Sequence, residues 1–259
     1  VRLFDEAVAF IQAASPTDPL FVFLTPFAPH TSVEIEEQDR YKFTTYSYVS
    51  PENAAFNEVD VSDKPAWGRK VLPWTQAQID SMIITQRNQL RALQSVDRGI
   101  AQLLTALQDT GRLAGSYIVF TGDNGFMWGE HRIKAKACPY EECVRNPLVI
   151  RGPGILPAVV TSLTVNVDLP VTIAEWAGVP FVREGRSLTC LLAGACVSVR
   201  DQVLIEFFNA PGPFNGVRTA QWKYVHYSNT GEQELYNLTL DPAELQSQHA
   251  NPAYAAVLS

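Results

Sequence analysis

The chain has 259 residues, 46% of them hydrophobic, so it can bury one substantial core or one core with a small satellite domain. Its formal net charge is −7 and it has no run of Lys or Arg, which argues against a general role in binding nucleic acid or membrane surfaces. No apolar stretch approaches the roughly 20 residues that a membrane-spanning helix needs.

The first part of the chain predicts a helix followed by a strand. Apolar residues recur at helical spacing from Phe4 to Ile11, which predicts an amphipathic helix ending near residues 14–16. The continuous apolar run 20–24 predicts a buried strand, and the proline-stiffened loop after it carries His30. A lone histidine is more often a structural hydrogen-bonding group than a catalytic one, so these residues alone leave both roles open.

An irregular stretch, a long helix and a second strand come next. Residues 31–73 have no sustained period and are too many for a simple connector, which indicates a surface excursion with substrate-facing candidates. Thr75 and Gln78 form a candidate capping box for a long helix that Gly111 ends. Residues 116–120 then predict a strand buried on both faces. This order is typical of an α/β fold with a largely parallel sheet flanked by helices.

The stretch 121–131, with Lys136 just beyond it, carries the strongest candidate chemistry. Ligands of open α/β sheets bind where strands end, and Asp123 and Asn124 directly follow the predicted strand. Their oxygens are hard ligands that suit Ca²⁺ or Mg²⁺, although Asp-Asn-Gly alone is more often only a turn. Four basic residues follow within one loop: His131, Arg132, Lys134 and Lys136. Together they favour a site for a doubly charged oxyanion held between a metal and positive donors.

The second half of the chain predicts further helices and strands, and then a series of short β-rich runs separated by turn residues. Residues 139–142 predict a helical turn, 147–150 a buried strand, 168–178 a helix capped by Asp168, and 187–192 another turn. Short β-rich runs at 203–208, 217–219, 223–227 and 234–238 predict a small antiparallel sheet, followed by a terminal helix through Tyr254. We therefore expect part of an α/β domain over residues 1–200 and a small antiparallel β subdomain with a terminal helix over residues 201–259.

The four cysteines fall in two close pairs, Cys138 with Cys143 and Cys190 with Cys196. A zinc site needs tighter, repeated spacing with histidine partners, which the sequence does not offer. Cys190 and Cys196 could form a small-loop disulfide, and Asn237 begins a glycosylation sequon, so a secretory route is favoured. The pairing of the cysteines, the compartment and the oligomeric state stay open.

Several stretches keep the order and spacing of a known family. They are residues 28–30, 57–67, 121–125 through 129–132, 136 with 139–142, 185–188, 217–219, 222–224, 234–238 and 241–242. With them, the chain resembles the C-terminal part of a type I sulfatase of the alkaline phosphatase superfamily, closest to N-acetylglucosamine-6-sulfatase-like members. The resemblance implies an alkaline phosphatase-like fold whose N-terminal half is missing here, and a sulfuric ester hydrolase that acts on a sulfated sugar or an aryl sulfate.

The resemblance also implies roles for individual residues. Asp123 and Asn124 match the family's second pair of metal ligands, usually for Ca²⁺ and possible for Mg²⁺. Lys136 matches the lysine that contacts the sulfate, and His30 matches the histidine that contacts the sulfate and helps the leaving oxygen depart. His131 matches a histidine that recurs at the site in part of the family. Lys134 and Arg132 are interpreted as ordinary solvated charges.

One departure from the family concerns the nucleophile. The resemblance implies a formylglycine made from the cysteine of a Cys-x-Pro/Ala-Ser-Arg motif, upstream and beside a first Asp-Asp metal pair, and neither is present. Cys196 and Arg200 have the separation of that motif, but the two residues before Arg200 do not fit it and they follow the metal pair. We expect the missing half to precede Val1, and the chain alone to be inactive.

Two other functions stay open at this point. A phosphonate or phosphodiester hydrolase of the same superfamily would share the metal scaffold and differ in the oxyanion that it handles. A non-catalytic pseudo-enzyme would bind sulfated glycans through Lys136 and His30 without turning them over. The residues that select the substrate are expected in the excursion over residues 31–73 and in the missing half.

Overall fold

A computed structural model describes residues 2–30, 34–47, 53–209 and 212–258. Its contacts divide the chain into two compact units, each built from several segments. The helical unit comprises Val1–Asn53, Trp74–Ile118 and Ile150–Pro153, and the sheet unit comprises Ala54–Pro73, Val119–Val149 and Gly154–Ser259. The domain boundary predicted at residue 200 stays a prediction.

The described residues form six α-helices and six strands. The helices are α1 (Arg2–Ala13), α2 (Ala66–Arg69), α3 (Gln76–Asp109), α4 (Glu141–Val144), α5 (Asp168–Trp176) and α6 (Thr189–Leu192). The strands are β1 (Ile118–Thr121), β2 (Leu148–Arg151), β3 (Gln202–Phe207), β4 (Phe214–Thr219), β5 (Trp222–Tyr227) and β6 (Gln233–Asn237). Short 3₁₀ segments add Glu37–Asp39, Leu113–Gly115 and Pro252–Val257. None of the described helices is long and apolar enough to cross a membrane.

The helical unit is built on the pair α1 and α3. The apolar stripe of α1 is buried, and the predicted amphipathic helix is confirmed. A Cβ on Gly99 of α3 would lie 2.3 Å from the Phe4 ring, so only a glycine lets α1 approach this closely. Helix α3 begins with the predicted capping box, in which the Thr75 N–H donates to Gln78 Oε1 over 2.8 Å. Gly111, at a φ of +71°, follows its end.

Part of the predicted excursion lies along one side of α3. Arg98 donates to the buried Asp39 carboxylate, with 2.5 Å between Nη2 and Oδ2. Arg87 and Arg91 donate to the backbone carbonyls of Tyr46 and Lys42 over 2.7 and 2.8 Å. Residues 87, 91 and 98 share one face of a helix, so this face orders the described loop 36–46. Residues 31–33 and 48–52 of the excursion lie outside the described residues.

The strand predicted over residues 20–24 is not formed among the residues described, and the strands before and after the Asp123 motif are less buried than predicted. Residues 20–27 are not paired in any described strand, and the Phe21 and Phe23 side chains are 68% and 81% exposed. Strands β1 and β2 form a sheet of two strands only, with Phe120 44% and Val149 61% exposed. The largely parallel sheet is therefore not confirmed, and the predicted burial on both faces is wrong for this chain. A strand is buried on both faces only when neighbouring strands and covering helices are present.

The antiparallel sheet of the sheet unit is confirmed. Its strand order is β3-β4-β5-β6, with every neighbouring pair antiparallel. Burial alternates along β5, whose Val225 and Tyr227 side chains are 0% and 1% exposed, because successive residues point to opposite faces. The predicted terminal helix is shorter than expected and is the 3₁₀ segment Pro252–Val257. Asp168 does not cap α5 as predicted: Val167 is the N-cap, and the buried Asp168 accepts from the N–H groups of Val165 and Arg186.

Candidate metal and anion site

The Asp123–Asn124 turn directly follows β1, as the sequence predicts. Asp123 is exposed, and its Oδ1 accepts the backbone N–H of Asn124 over 3.0 Å. The amide nitrogen of Asn124 donates to the Gly125 carbonyl over 2.8 Å, which leaves the amide oxygen as the remaining polar atom of that side chain. One short turn therefore offers a carboxylate and an amide oxygen, both hard ligands.

Gly125 seats this turn on the backbone of α4. Its N–H donates to the Cys143 carbonyl over 2.9 Å, and a Cβ at this position would lie 2.0 Å from the Glu142 carbonyl oxygen. The turn touches α4 so closely that no side chain fits between them. A disulfide joins Cys143 to Cys138, so the support beneath the turn is itself cross-linked.

Lys136 follows a hairpin formed by residues 127–135. The Met127 N–H donates to the Ala135 carbonyl over 2.8 Å, and the Gly129 N–H donates to the Ile133 carbonyl over 2.9 Å. Met127 and Ile133 are 0% and 6% exposed and pack in the core of the sheet unit. Lys134 lies on the return leg, Lys136 directly follows it, and both are exposed. Lys136 therefore keeps its ammonium group in solvent, as a lysine that contacts an anion must.

His131 lies at the tip of the hairpin and is buried, with 1% of its surface exposed. Its Nδ1 lies 2.6 Å from Glu58 Oε2, and its ring packs on Tyr140 with 4.3 Å between centroids. Nε2 is buried without a hydrogen-bond partner in the described part of the chain. These contacts hold the hairpin in place, and the catalytic role of His131 stays a prediction.

Arg132 is not the solvated charge that the sequence suggested. Its guanidinium donates to the backbone carbonyls of Glu58 and Val59 over 2.7 Å each, and to that of Val71 over 3.2 Å. It thereby ties the hairpin tip to residues 58–71 of the same unit. The interpretation failed because the partners are carbonyl groups, which a sequence does not mark.

Glu58 and Lys64 are site-supporting residues to which the sequence assigned no role. Lys64 is 1% exposed and donates to the Glu244 and Leu245 carbonyls over 2.8 and 3.0 Å. Its Nζ also lies 3.0 Å from Asp63 Oδ2 and 3.7 Å from Glu58 Oε1. The available signal was the motif over residues 57–67, in which charged residues recur within a stretch that matches the family.

Buried carboxylates and tyrosines lie behind the hairpin. Glu234 accepts hydrogen bonds from three hydroxyls, those of Tyr140, Tyr227 and Tyr236, over 3.0, 2.6 and 2.5 Å. Burial raises the pKa of Glu234, against the opposing effect of these hydrogen bonds, and burial also raises the pKa of all three tyrosines. The hydroxyls therefore stay protonated and act as donors at any physiological pH.

A buried lysine joins α4 to the antiparallel sheet. Lys223 is fully buried, and its Nζ lies 2.9 Å from Glu141 Oε1 and 2.7 Å from Glu244 Oε1. Burial by itself would raise the pKa of Glu141, but Lys223 and Arg218 outweigh it and the pKa is lowered. Glu141 is therefore an anion in the folded protein and helps to hold α4 under the Asp123 turn.

His30 belongs to the helical unit, whereas the other predicted site residues belong to the sheet unit. It is exposed and follows a cis Ala28–Pro29 bond. Its N–H donates to the Phe27 carbonyl over 2.9 Å, and its ring centroid lies 4.9 Å from that of Phe27. Asp123, Asn124, His131 and Lys136 lie on one continuous stretch of the sheet unit, and the participation of His30 stays a prediction.

The chemistry of Asp123 and Asn124 fits a hard divalent cation in part. Ca²⁺ takes about six to eight oxygen ligands, and this turn offers two side chains with such oxygens. Within the described ranges, no group of three or more His, Cys, Asp or Glu side chains is placed to hold a metal. The turn therefore fits a cation as one segment of a larger ligand shell.

All four cysteines are in disulfides. Cys138 pairs with Cys143, and Cys190 pairs with Cys196 as the sequence allowed, with Cα atoms 5.9 and 5.4 Å apart. A cysteine in a disulfide has no thiol for conversion to formylglycine. The structure thus agrees with the interpretation that Cys196 does not belong to a nucleophile motif.

Comparison with known proteins identifies a family. Residues 1–179 match the family model described as Sulfatase, and residues 129–259 match the model described as N-sulphoglucosamine sulphohydrolase, C-terminal. The N-acetylglucosamine-6-O-sulfatase of Bacteroides thetaiotaomicron is 32% identical over 201 residues, which cover 73% of this chain and 35% of that protein. The chain spans less than half the length of several curated relatives that it matches.

Solved structures show the same fold. A protein in complex with its substrate D-glucosamine-2-N,6-O-disulfate aligns with a TM-score of 0.86 at 23% identity, covering 99% of this chain and 66% of that chain. The phosphonate monoester hydrolase from Silicibacter pomeroyi aligns with a TM-score of 0.62 at 25% identity, covering 73% and 41%. The fold is therefore the alkaline phosphatase-like α/β fold of these proteins, and the resemblance to a C-terminal portion of a type I sulfatase is confirmed. Because a sulfatase family model matches well over half of its residues, the chain belongs to the sulfatase family.

Proposed function

We propose that the protein hydrolyses a sulfate ester of an amino sugar, with a divalent cation held in part by Asp123 and Asn124 and an anionic oxygen held by Lys136. The observation that carries the proposal is local. In a chain of the sulfatase family, one stretch of the sheet unit presents two hard oxygen ligands and, after a braced hairpin, an exposed lysine. A cation and a lysine ammonium group, if they approach the same ligand, suit a tetrahedral dianion.

The choice of an amino sugar rests on the relatives. The name of the Bacteroides relative specifies the 6-O-sulfate of N-acetylglucosamine, and the aligned structure contains a glucosamine sulfated at the 2-N and 6-O positions. A glucosamine 6-sulfate is therefore the first substrate to test, and the doubly sulfated sugar is the second. An aryl sulfate would serve as a general probe of sulfate ester hydrolysis.

The chain's own residues would act by binding and orientation. Asp123 and Asn124 would hold Ca²⁺ or Mg²⁺, which when bound supplies positive charge to polarise the ester and offset charge on the sulfate oxygens. Lys136 would donate to a sulfate oxygen as a compact point charge. His30 would hydrogen-bond to the sulfate and protonate the leaving oxygen. None of the four cysteines is free, so the formylglycine nucleophile that the family resemblance implies is not one of them.

The test is sulfate release by the full-length protein from glucosamine 6-sulfate, with calcium present. We expect turnover, a loss of at least about 100-fold in kcat/KM for Lys136→Ala, and a similar loss for Asp123→Ala. Lys70→Ala is the control, since Lys70 is also exposed and lies outside the predicted site. Wild-type turnover that is unaffected by Asp123→Ala and Lys136→Ala would refute the assignment of the site.

A phosphonate monoester hydrolase is the second candidate. The likeness to the Silicibacter pomeroyi enzyme favours it, because a phosphonate ester, like a sulfate ester, presents a tetrahedral anionic group. Paired aryl sulfate and aryl phosphonate substrates separate the two, and a higher kcat/KM for the phosphonate would replace the sulfatase proposal. Binding of sulfated glucosamine without turnover of either substrate would instead identify a glycan-binding pseudo-enzyme.

A further inference from the structure

We infer that Glu58 is a positioning residue of the site: it fixes His131 at the tip of the hairpin and thereby sets the direction of Lys136. The inference rests on the proposed function, because it concerns the alignment of Lys136. It assigns a task to the family-matching motif over residues 57–67, to which neither the sequence nor the proposed mechanism gave one.

The hairpin tip has a backbone conformation that needs outside support. His131 and Arg132 are consecutive non-glycine residues with φ of +50° and +63°, in the left-handed region that such residues rarely adopt. Two strained residues in succession persist only when surrounding contacts hold them. A turn with glycine at positions 131 and 132 could form the same hydrogen bonds within the hairpin. These bonds therefore do not explain why a histidine and an arginine occupy the two positions.

The support comes from residues 55–59, which we call the brace. The His131 N–H donates to the Ala55 carbonyl, and the Asn57 N–H donates to the Gly129 carbonyl, both over 2.8 Å. Phe56 packs against the hairpin so closely that a Cβ on Gly129 would lie 2.6 Å from its ring. The brace and the hairpin tip therefore interlock through backbone and ring contacts on one side.

Glu58 supplies the polar contact that locks this arrangement. It is 5% exposed, His131 is 1% exposed, and 2.6 Å separates Oε2 from Nδ1. An ionised carboxylate only accepts hydrogen bonds, so Nδ1 is the donor and the ring is held in one tautomer and one orientation. Lys64 Nζ lies 3.7 Å from the other carboxylate oxygen, so the Glu58 side chain lies between the imidazole of His131 and a buried ammonium group.

The effect reaches Lys136 along the hairpin. The return leg from His131 to Ala135 is paired to residues 127–129, and Ile133 is fixed in the core. Lys136 is the next residue after this paired leg, so a rotation of the tip would shift its Cα. His131 is 1% exposed and contacts Glu58 through Nδ1, so in this inference the two residues act together to position the hairpin tip.

Hydrogen exchange in the full-length protein tests the positioning directly. Glu58→Gln removes the charge but keeps the shape, and we expect the amides of Gly129 and Ile133 to exchange at least about tenfold faster than in the wild type. Glu232→Gln is the matched control, because the Glu232 carboxylate also pairs with a basic side chain, that of Arg69 over 3.0 Å, and Arg69 is not part of the hairpin. Unchanged exchange at Gly129 and Ile133 in Glu58→Gln would overturn the inference.

Kinetics then distinguish positioning from general stability. We expect Glu58→Gln to lower kcat about tenfold or more with little change in KM, and to have no further effect once Lys136→Ala is present. Equal losses in the two backgrounds would show that Glu58 does not act through Lys136. Should Glu58→Gln fail to fold, Glu58→Asp keeps the charge beside Lys64 but shortens the side chain, and the same exchange and kinetic results are expected. Absence of wild-type turnover would count against the proposed function, and the exchange result would still decide this inference.

Discussion

At the scale of single residues, Gly125 shows that the candidate site depends on a position without a Cβ atom. The Asp123–Asn124 turn lies on the backbone of α4, and the space for a side chain at Gly125 is filled by the Glu142 carbonyl. The sequence offered glycines on both sides of the Asp-Asn pair as a general aid to sharp turning. Only the packing shows that the two are not equivalent.

Alanine substitution should separate these two glycines. Gly125→Ala places a methyl group 2.0 Å from a backbone carbonyl, and we expect a loss of about 1–3 kcal/mol in the free energy of unfolding. Gly122→Ala meets its nearest atoms at an ordinary 3.8 Å and should change stability by less than about 0.5 kcal/mol. Urea denaturation of both variants measures the difference, and equal effects would contradict the packing argument.

His131 and Arg132 make contacts that could not be predicted from their residue types. The family resemblance implied that His131 lies at the site, whereas the sequence did not indicate what the neighbouring Arg132 contacts. In the structure, the buried His131 and the partly exposed Arg132 both contact Glu58, and Arg132 also binds the carbonyls of Val59 and Val71. Polar side chains that bind backbone carbonyls cannot be recognised from residue types, because every residue has a carbonyl group.

At the scale of elements, α3 was predicted as a helix, but its role in ordering loop 36–46 was not predicted. Its start and end followed from the capping box and Gly111, since both signals are local in sequence. The face with Arg87, Arg91 and Arg98 orders loop 36–46 through contacts that span 41 to 62 positions in sequence. The sequence described this loop only as irregular.

The Arg98 contacts should make stability depend on pH. Hydrogen bonds from Arg98 lower the pKa of Asp39 below its unfolded value of about 3.9, so the stabilisation is present above that pH and is lost as the pH falls through the lowered pKa. We expect the difference in unfolding free energy between wild type and Arg98→Met to shrink from pH 7 to pH 3. The Arg91→Met difference should stay constant, because Arg91 binds a carbonyl and the Asn88 amide.

The two disulfides should contribute alike to stability and differently to the site. They close loops of similar length, with sequence separations of 5 and 6, so each should stabilise the chain by about 2 kcal/mol by the loop-entropy estimate. Replacing Cys138 and Cys143 by serine should also speed hydrogen exchange at Gly125, whose N–H donates to the Cys143 carbonyl. Replacing Cys190 and Cys196 by serine should leave that amide unchanged, and the opposite pattern would contradict the role of α4.

At the scale of the whole molecule, the predicted cation would need oxygen ligands from more than one segment of the protein. In the proposed site the Asp123 turn would supply part of a ligand shell, and the remaining ligands would come from other segments of the protein. We expect calcium to raise the melting temperature of the full-length protein and EDTA to reverse this, since calcium at 100 times its dissociation constant adds about 2.7 kcal/mol.

Two variants check that the effect belongs to this turn. Asp123→Ala should lose the calcium-dependent shift, and Asp201→Ala, which changes an exposed aspartate outside the site, should keep it. Differential scanning calorimetry with and without calcium gives the comparison. A calcium shift that survives in Asp123→Ala would place the cation at other residues.

The sequence by itself determined the features that depend on neighbours in the chain. Helices α1 and α3, the presence of a small antiparallel sheet over β3 to β6 and the oxygen pair after β1 follow from periodicity, capping and turn residues, because these act over a few positions. Tertiary structure decided the rest: the exposure of Phe23 and Val149, the burial of Lys64, Lys223 and His131, and the brace on the hairpin. These depend on which distant segments meet, and burial of a charge or exposure of an apolar strand is set by those partners rather than by the residue itself.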